Sequence, residues 1–182
     1  FGDECHLFKA KSLTQIMTKL KDCPYRIGTT GTLDGSQTHK LVIEGLFGRI
    51  FNVTSTKTLM EKNLLSNLHI ESLTLKYPPE MVEEVKRVSY NEEIKWLISN
   101  PIRNRFIIDL SSNLNGNTLL LFNYVKDHGI PLYNTIKDLC KDRKVFLIHG
   151  KTDIVQREEI RKIVNEEKNA ILIASYGTCS TG

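Results

Sequence analysis

The sequence predicts an α/β fold with a parallel sheet, and three observations carry that prediction. Short apolar runs stand at Thr118–Phe122, Val145–Ile148 and Ile171–Ala174, recurring about every 25 residues. Each gap holds a helix-like segment, Leu132 to Cys140 and then Ile154 to Val164. Short buried runs alternating with helices are the mark of βαβ units, whose parallel strands are covered on both faces.

Upstream the elements are less regular. In Ser12–Leu20 the apolar residues Leu13, Ile16, Met17 and Leu20 fall at i, i+3, i+4 and i+7, which predicts an amphipathic helix with Ser12 as N-cap. Leu41, Val42, Ile43 and Leu46 form a short apolar segment closed by Gly45 and Gly48. Thr56 to Leu65 reads as a capped helix, and Ile70, Leu73, Leu75 and Tyr77 as an extended strand. Pro78-Pro79 breaks the chain before helix-prone material from Glu80 to Arg87 and from Glu92 to Ser99. Pro101 opens a further helix carrying Ile102, Phe106, Ile107 and Leu110, with Ser111 to Asn117 as its stop. The expected organisation is residues 1–50 as the second half of one α/β lobe, 51–116 as a connecting region, and 117–182 as a second lobe.

Composition excludes several classes. Forty per cent hydrophobic residues suffice for a core, and no apolar stretch approaches the roughly 20 residues of a spanning helix. Cys5, Cys23, Cys140 and Cys179 are scattered without a Cys-x-x-Cys pair, which argues for reduced thiols in an intracellular compartment rather than zinc or disulfides. The net charge of +4, from 25 basic and 21 acidic residues, permits nucleic acid without arguing for it. No signal peptide is visible, and the chain starts at Phe1. An internal piece of a longer protein is expected.

Four segments carry chemistry. Asp3-Glu4-Cys5-His6 places two acids side by side, an arrangement in which one carboxylate holds Mg²⁺ on nucleotide phosphates and the next orients water. The bland alternatives are a solvated loop or a metal-chelating cluster. Tyr25 to Gly35 contains the hydroxyl-rich turn Thr30-Gly31-Thr32, which also suits a mere turn former. His149-Gly150 ends a strand at the carboxyl edge of the predicted sheet, where open α/β sheets place ligands, with Lys151 next to it. A phosphate contact and a simple Gly-terminated strand both fit it. Ile171 to Gly182 runs from an apolar strand into a Ser/Thr/Gly loop, in which Ser175 and Thr178 offer hydroxyls to phosphates.

In this order the segments resemble the motifs of superfamily 2 helicases of the DExH type, most closely the phage UvsW-like helicases. Asp3-Glu4-Cys5-His6 looks like motif II and the Thr-Gly-Thr-Leu-Asp-Gly turn like motif III. Leu119 to Tyr124 looks like motif IV, Val145 to Gly150 like the strand and backbone-binding turn that follow it, and Ile171 to Gly182 like motif V. The resemblance implies RecA-like lobes of the P-loop NTPase helicase type, a partial first lobe and most of a second. It implies ATP and Mg²⁺ as cofactors, with Asp3 as the Mg²⁺ contact and Glu4 as general base. His6 then couples the nucleotide to Thr30, Gly31 and Thr32, and Gly182 approaches the nucleotide from the second lobe. Gly31 stands where many relatives carry Ala. His149, Gly150, Ser175 and Thr178 become nucleic-acid contacts, and either Phe122 or Tyr124 a base-stacking residue. His39, His69 and His128 match no motif and read as structural or solvated.

The implied function is that of an ATP-dependent DNA or RNA helicase acting on branched or single-stranded nucleic acid in phage recombination, repair or replication, in the host cytoplasm. Two rivals share the pattern: a double-stranded DNA translocase motor, and a non-catalytic nucleic-acid-binding module. The sequence contains no Gly-x-x-x-x-Gly-Lys-[Ser/Thr] loop and no arginine-bearing motif VI. Negligible ATP hydrolysis is therefore expected from this stretch alone.

Overall fold

The structure, a computed structural model, describes residues 1–7, 11–31, 33 and 37–179. The chain forms two compact units, Phe1–Glu71 and Ser72–Gly182.

The first unit is built around helices. A 3₁₀ turn, Cys5–Leu7, precedes α1 (Lys11–Lys19), α2 (Gln37–Phe47) and α3 (Thr56–Glu61). The helix start at Lys11 lies one residue ahead of the Ser12 expected as its N-cap, so Ser12 is already helical. The expected apolar stripe is covered only in part, since Met17 is buried whereas Ile16 and Leu20 are exposed. The apolar segment around Leu41 to Leu46 is helical, and it turns Ile43 and Leu46 inward. Gly48 follows with φ of +93°, the left-handed conformation that ends a helix and that glycine adopts without strain. Ser55 caps α3 by accepting from the Thr58 amide at 3.1 Å. That helix stops at Glu61, short of the expected Leu65.

Residues 70–77 form no strand, contrary to the alternation of Ile70, Leu73, Leu75 and Tyr77. Among the described residues no neighbouring ladder takes up their backbone groups, and Ile70 and Leu73 stay exposed. Alternation alone does not make a strand; a pairing partner does.

The second unit opens with α4 (Pro79–Val85), α5 (Tyr90–Ser99) and α6 (Pro101–Asn113). Proline sits at the first position of α4 and α6, where its missing N–H has no partner to lose. Helix α6 runs on through Ser111, Ser112 and Asn113, which had read as its stop. Then come β1 (Thr118–Phe122), a π-helical turn Val125–Gly129, α7 (Ile130–Leu139), β2 (Val145–Ile148), α8 (Ile154–Glu166), β3 (Ile171–Ser175) and the short α9 (Tyr176–Cys179). All three strands fall where the apolar runs predict.

The sheet is parallel in the order β1-β3-β2, with Thr118 and Val145 both in register with Ile171. Side chains alternate across it with period two. Ile171 and Ile173 join Phe122, Ile108, Leu132 and Ile136 in a core beneath α6 and α7. Ala174 and Ile148 pack on Ile160 of α8 on the opposite face. Burial of the central strand explains its continuously apolar sequence. A Cβ on Gly129 would stand 2.5 Å from the buried Phe122 ring, so close packing requires glycine there.

Two polar side chains close the sheet's amino edge. Asn117 donates to the carbonyls of Val164 and Glu167 at 2.8 and 2.7 Å and accepts from the Ala170 amide at 2.8 Å. Arg143 donates to the carbonyls of Ser111, Ser112, Leu114, Gly116 and Asn169 at 3.0–3.3 Å, and to the Thr118 hydroxyl. It thereby serves the orphan carbonyls at the C-terminus of α6, where a positive charge also complements the helix dipole.

Candidate functional site

In the first unit, residues 2–6 lie alongside 27–30. Gly2 and Gly28 form an isolated parallel bridge. Gly2 donates to Ile27 O at 2.8 Å, Thr29 to Gly2 O at 2.9 Å, and Cys5 to Thr29 O at 2.9 Å. This backbone pairing sets the acidic loop against the hydroxyl-rich one. Asp3 Oδ1 accepts from the Thr29 hydroxyl at 2.9 Å and from the Glu4 amide at 3.0 Å. His6 Nδ1 lies 2.6 Å from Thr30 Oγ1 and 3.1 Å from Glu4 Oε2. The contact with Thr30 has hydrogen-bond geometry, and that with Glu4 is a close approach of imidazole and carboxylate.

Glu4 has φ of +47°, the left-handed region that a residue with a Cβ rarely occupies. Such strain costs on the order of 1–3 kcal/mol and persists only where surrounding contacts enforce it. Here the Glu4 amide is tied to Asp3 and the Cys5 amide to Thr29. The two acids themselves are exposed, whereas Cys5 is buried beneath them. Burial, and then the charges of Glu4 and Asp3, push the Cys5 thiol up, which keeps it a protonated packing residue. Gly28 backs this packing: a Cβ there would meet Cys5 Sγ and Phe47 Cγ, each at 3.0 Å.

The donor set suits Mg²⁺. That ion takes one or two carboxylates and keeps waters and phosphate oxygens for its remaining positions. Asp3 offers one exposed carboxylate, and the described residues hold no cluster of three or more His, Cys, Asp or Glu that would make an all-protein cage.

In the second unit the candidate contacts gather at the carboxyl edge of the sheet. The order β1-β3-β2 puts Ser175, the last residue of β3, and Thr178 just after it between Tyr124 after β1 and His149-Gly150 after β2. Ser175 Oγ and Thr178 Oγ1 lie 2.6 Å apart. The Lys151 amide donates to His149 Nδ1 at 3.2 Å, which leaves the proton of the neutral ring on Nε2. The turn is closed by Thr152, whose hydroxyl accepts from the His149 amide at 3.0 Å. Of the two candidate stacking residues, Phe122 is core and Tyr124 is partly exposed. His128, read as structural or solvated, is buried and touches Arg103 and Asn104. His69 is solvated, 3.2 Å from Glu71.

Gly31 is exposed next to Thr30. Thr32 and Gly182, expected as a coupling and a nucleotide residue, lie outside the described residues, as does the end of the candidate motif V at Ser180 and Thr181; of His39 only the backbone is described. Sequence reasoning missed Thr29 and Arg157. Thr29 was legible as a third hydroxyl beside Thr30. Arg157 donates from α8 to the carbonyls of Thr152, His149 and Gly150 at 2.9, 3.3 and 3.1 Å, so it shapes the candidate phosphate turn from behind. No spacing rule announces such a contact.

A three-stranded parallel sheet with helices on both faces and its candidate contacts at the carboxyl edge is a RecA-like α/β lobe. Over 184 aligned residues the chain is 33% identical to the ATP-dependent DNA helicase uvsW of Enterobacteria phage T4. The chain is UvsW-like along its whole length, and it spans 36% of that relative. No family profile and no solved structure matches it.

Proposed function

We propose that the chain is a segment of an ATP-dependent DNA helicase, bearing its water-activating carboxylates and part of its strand-binding surface. The observation that carries this reading is the linkage of Glu4 through His6 to Thr30, at 3.1 and 2.6 Å. In it, Asp3 holds the metal and Glu4 takes a proton from the attacking water. His6 transmits the state of Glu4 to Thr30, with Gly31 continuing the coupling segment. Bound with ATP, Mg²⁺ supplies neutralisation of the charge on the terminal phosphates. His149 Nε2–H, the backbone of Gly150, and the hydroxyls of Ser175 and Thr178 grip phosphates of a DNA strand without reading its bases.

On this reading residues 1–50 belong to a first lobe, 51–116 connect, and 117–182 belong to a second. Branched DNA in phage recombination, repair or replication is the proposed substrate, and the host cytoplasm the proposed setting. The test is Glu4→Gln in the full-length protein, assayed for DNA-stimulated ATP hydrolysis. A fall of at least about 100-fold with DNA binding retained is expected, the usual reach of a general base. An unaltered rate refutes the assignment.

A further inference from the structure

Behind Tyr124 lies a cavity of about 230 Å³ that reaches past the Leu119–Tyr124 segment to α5 and Arg103. Its floor is aliphatic, from Ile94, Leu97 and Ile98 of α5, and its polar groups are Arg103, Asn123 and His128. Tyr124 and Tyr176 stand at its mouth, 43% and 56% exposed. Phe122 and Ser175 are register partners on the adjacent strands β1 and β3, so the residues that follow them open on the same edge.

Arg103 is the informative member. The Asn104 amide is oriented by its Nδ2, which donates to Ile98 O at 2.8 Å, so Oδ1 is the atom 3.2 Å from His128 Nε2. An acceptor at that distance makes Nε2 an N–H. Arg103 Nη1 stands 3.4 Å from the same nitrogen, a long contact that engages at most one of the guanidinium's donors. Burial and the neighbouring guanidinium both hold His128 below its ordinary range, in the neutral form. Among the described residues no carboxylate pairs with Arg103. A half-buried guanidinium with most of its donors unspent among the described residues, lining a cavity with exposed aromatic rings at its mouth, is built for an anion attached to a flat ring.

We propose that this cavity takes one nucleotide of a bound single strand, its phosphate on Arg103 and its base against Tyr124 and Tyr176. The proposal rests on the strand-binding reading of the same sheet edge, and to the stacking residue expected there, Tyr124, it adds a second ring and a phosphate contact at Arg103. Stacking explains why the cavity combines aromatic rings with a cation instead of repeating the hydroxyl donors beside it.

The test is the anisotropy of a labelled oligothymidylate with the full chain across a salt series. Arg103→Gln is expected to weaken binding about tenfold and to lower the salt slope by about 0.7, the share of one phosphate on a single strand. Arg103→Lys should keep that slope. Tyr124→Ala should weaken binding roughly tenfold at an unchanged slope, because stacking releases no counterion. Free thymidine monophosphate should compete only at about a hundredfold excess, since it lacks the neighbouring phosphate contacts. Equal affinity and slope for Arg103→Gln and wild type overturn the subsite alone. So does Arg103→Lys matching Arg103→Gln in slope, or a monophosphate that competes as well as the strand. If the wild-type chain fails to bind the oligothymidylate, the strand-binding reading falls with it.

Discussion

The first unit fixes Asp3, Glu4 and His6 with one isolated parallel bridge and a handful of loop hydrogen bonds, over a core of Cys5, Met17, Ile43 and Leu46. The second suspends its edge residues from a three-stranded sheet whose central strand has Ile171, Ile173 and Ala174 fully buried. In the first, polar contacts between side chains define the geometry, and Glu4 is strained within it. In the second, the backbone ladder and apolar packing define it, and the polar groups are carried along. Side-chain networks are specific but easily perturbed. A packed sheet tolerates changes at its rim, so the two regions should fail differently when altered.

The largest effect is expected in the second unit. Arg143→Ala removes the donors of five carbonyls that meet at the amino edge of the sheet. Charged hydrogen bonds contribute roughly 1.5–3 kcal/mol each in net terms, but water reaches this half-exposed site and replaces part of them. A loss of about 3 kcal/mol is expected in urea unfolding followed by Trp96, the single tryptophan, which lies in this unit against Tyr77. A shift below about 1 kcal/mol would show that the ladder alone holds the edge.

Arg143 also marks where the sequence stops being legible. The three strands and helices α5 to α8 were readable because burial on both faces writes itself as continuous apolar runs and helical spacing. The Asp3–His6 and Thr30 segments, which the structure brings side by side, stood out in the sequence because acids, imidazole and hydroxyls are scarce in that combination. Arg143, Asn117 and Arg157 were not. Each binds backbone carbonyls, which every residue possesses, and only the folded topology brings those carbonyls together. Residues 70–77 failed in the opposite sense, since their alternation was genuine and no described segment pairs with them.

A smaller effect is expected in the first unit from Gly28→Ala. The new methyl would sit 3.0 Å from both Cys5 Sγ and Phe47 Cγ, tighter than packing allows without a shift. Overpacking of this degree costs about 1–3 kcal/mol. The shift would be passed to the strand pairing of residues 2–5 with 27–29. Amide exchange in residues 1–31 is expected to accelerate about tenfold, corresponding to about 1.4 kcal/mol of local stability. Unchanged exchange would mean that the acidic loop is held by its polar contacts and not by the Cys5 packing beneath it.

The smallest effect tests whether the polar groups of the second unit are indeed carried along. His128 is kept below its ordinary range by burial and by Arg103, so the folded unit declines a proton that the unfolded chain accepts. The stabilisation from keeping it neutral is fully present above the ordinary histidine value of about 6.5 and is lost as pH falls below it, down to the lowered value of the folded state. The unfolding midpoint reported by Trp96 should therefore decline on acidification from about pH 7.5 to about pH 5.5. His128→Gln should flatten that decline, since glutamine can still donate to Asn104 but does not titrate in this range. A decline of the same steepness in His128→Gln would assign the acid sensitivity to other groups and leave His128 a neutral filler. A flattened one would show that the burial of His128, and then the charge of Arg103 beside it, is felt by the whole packed unit.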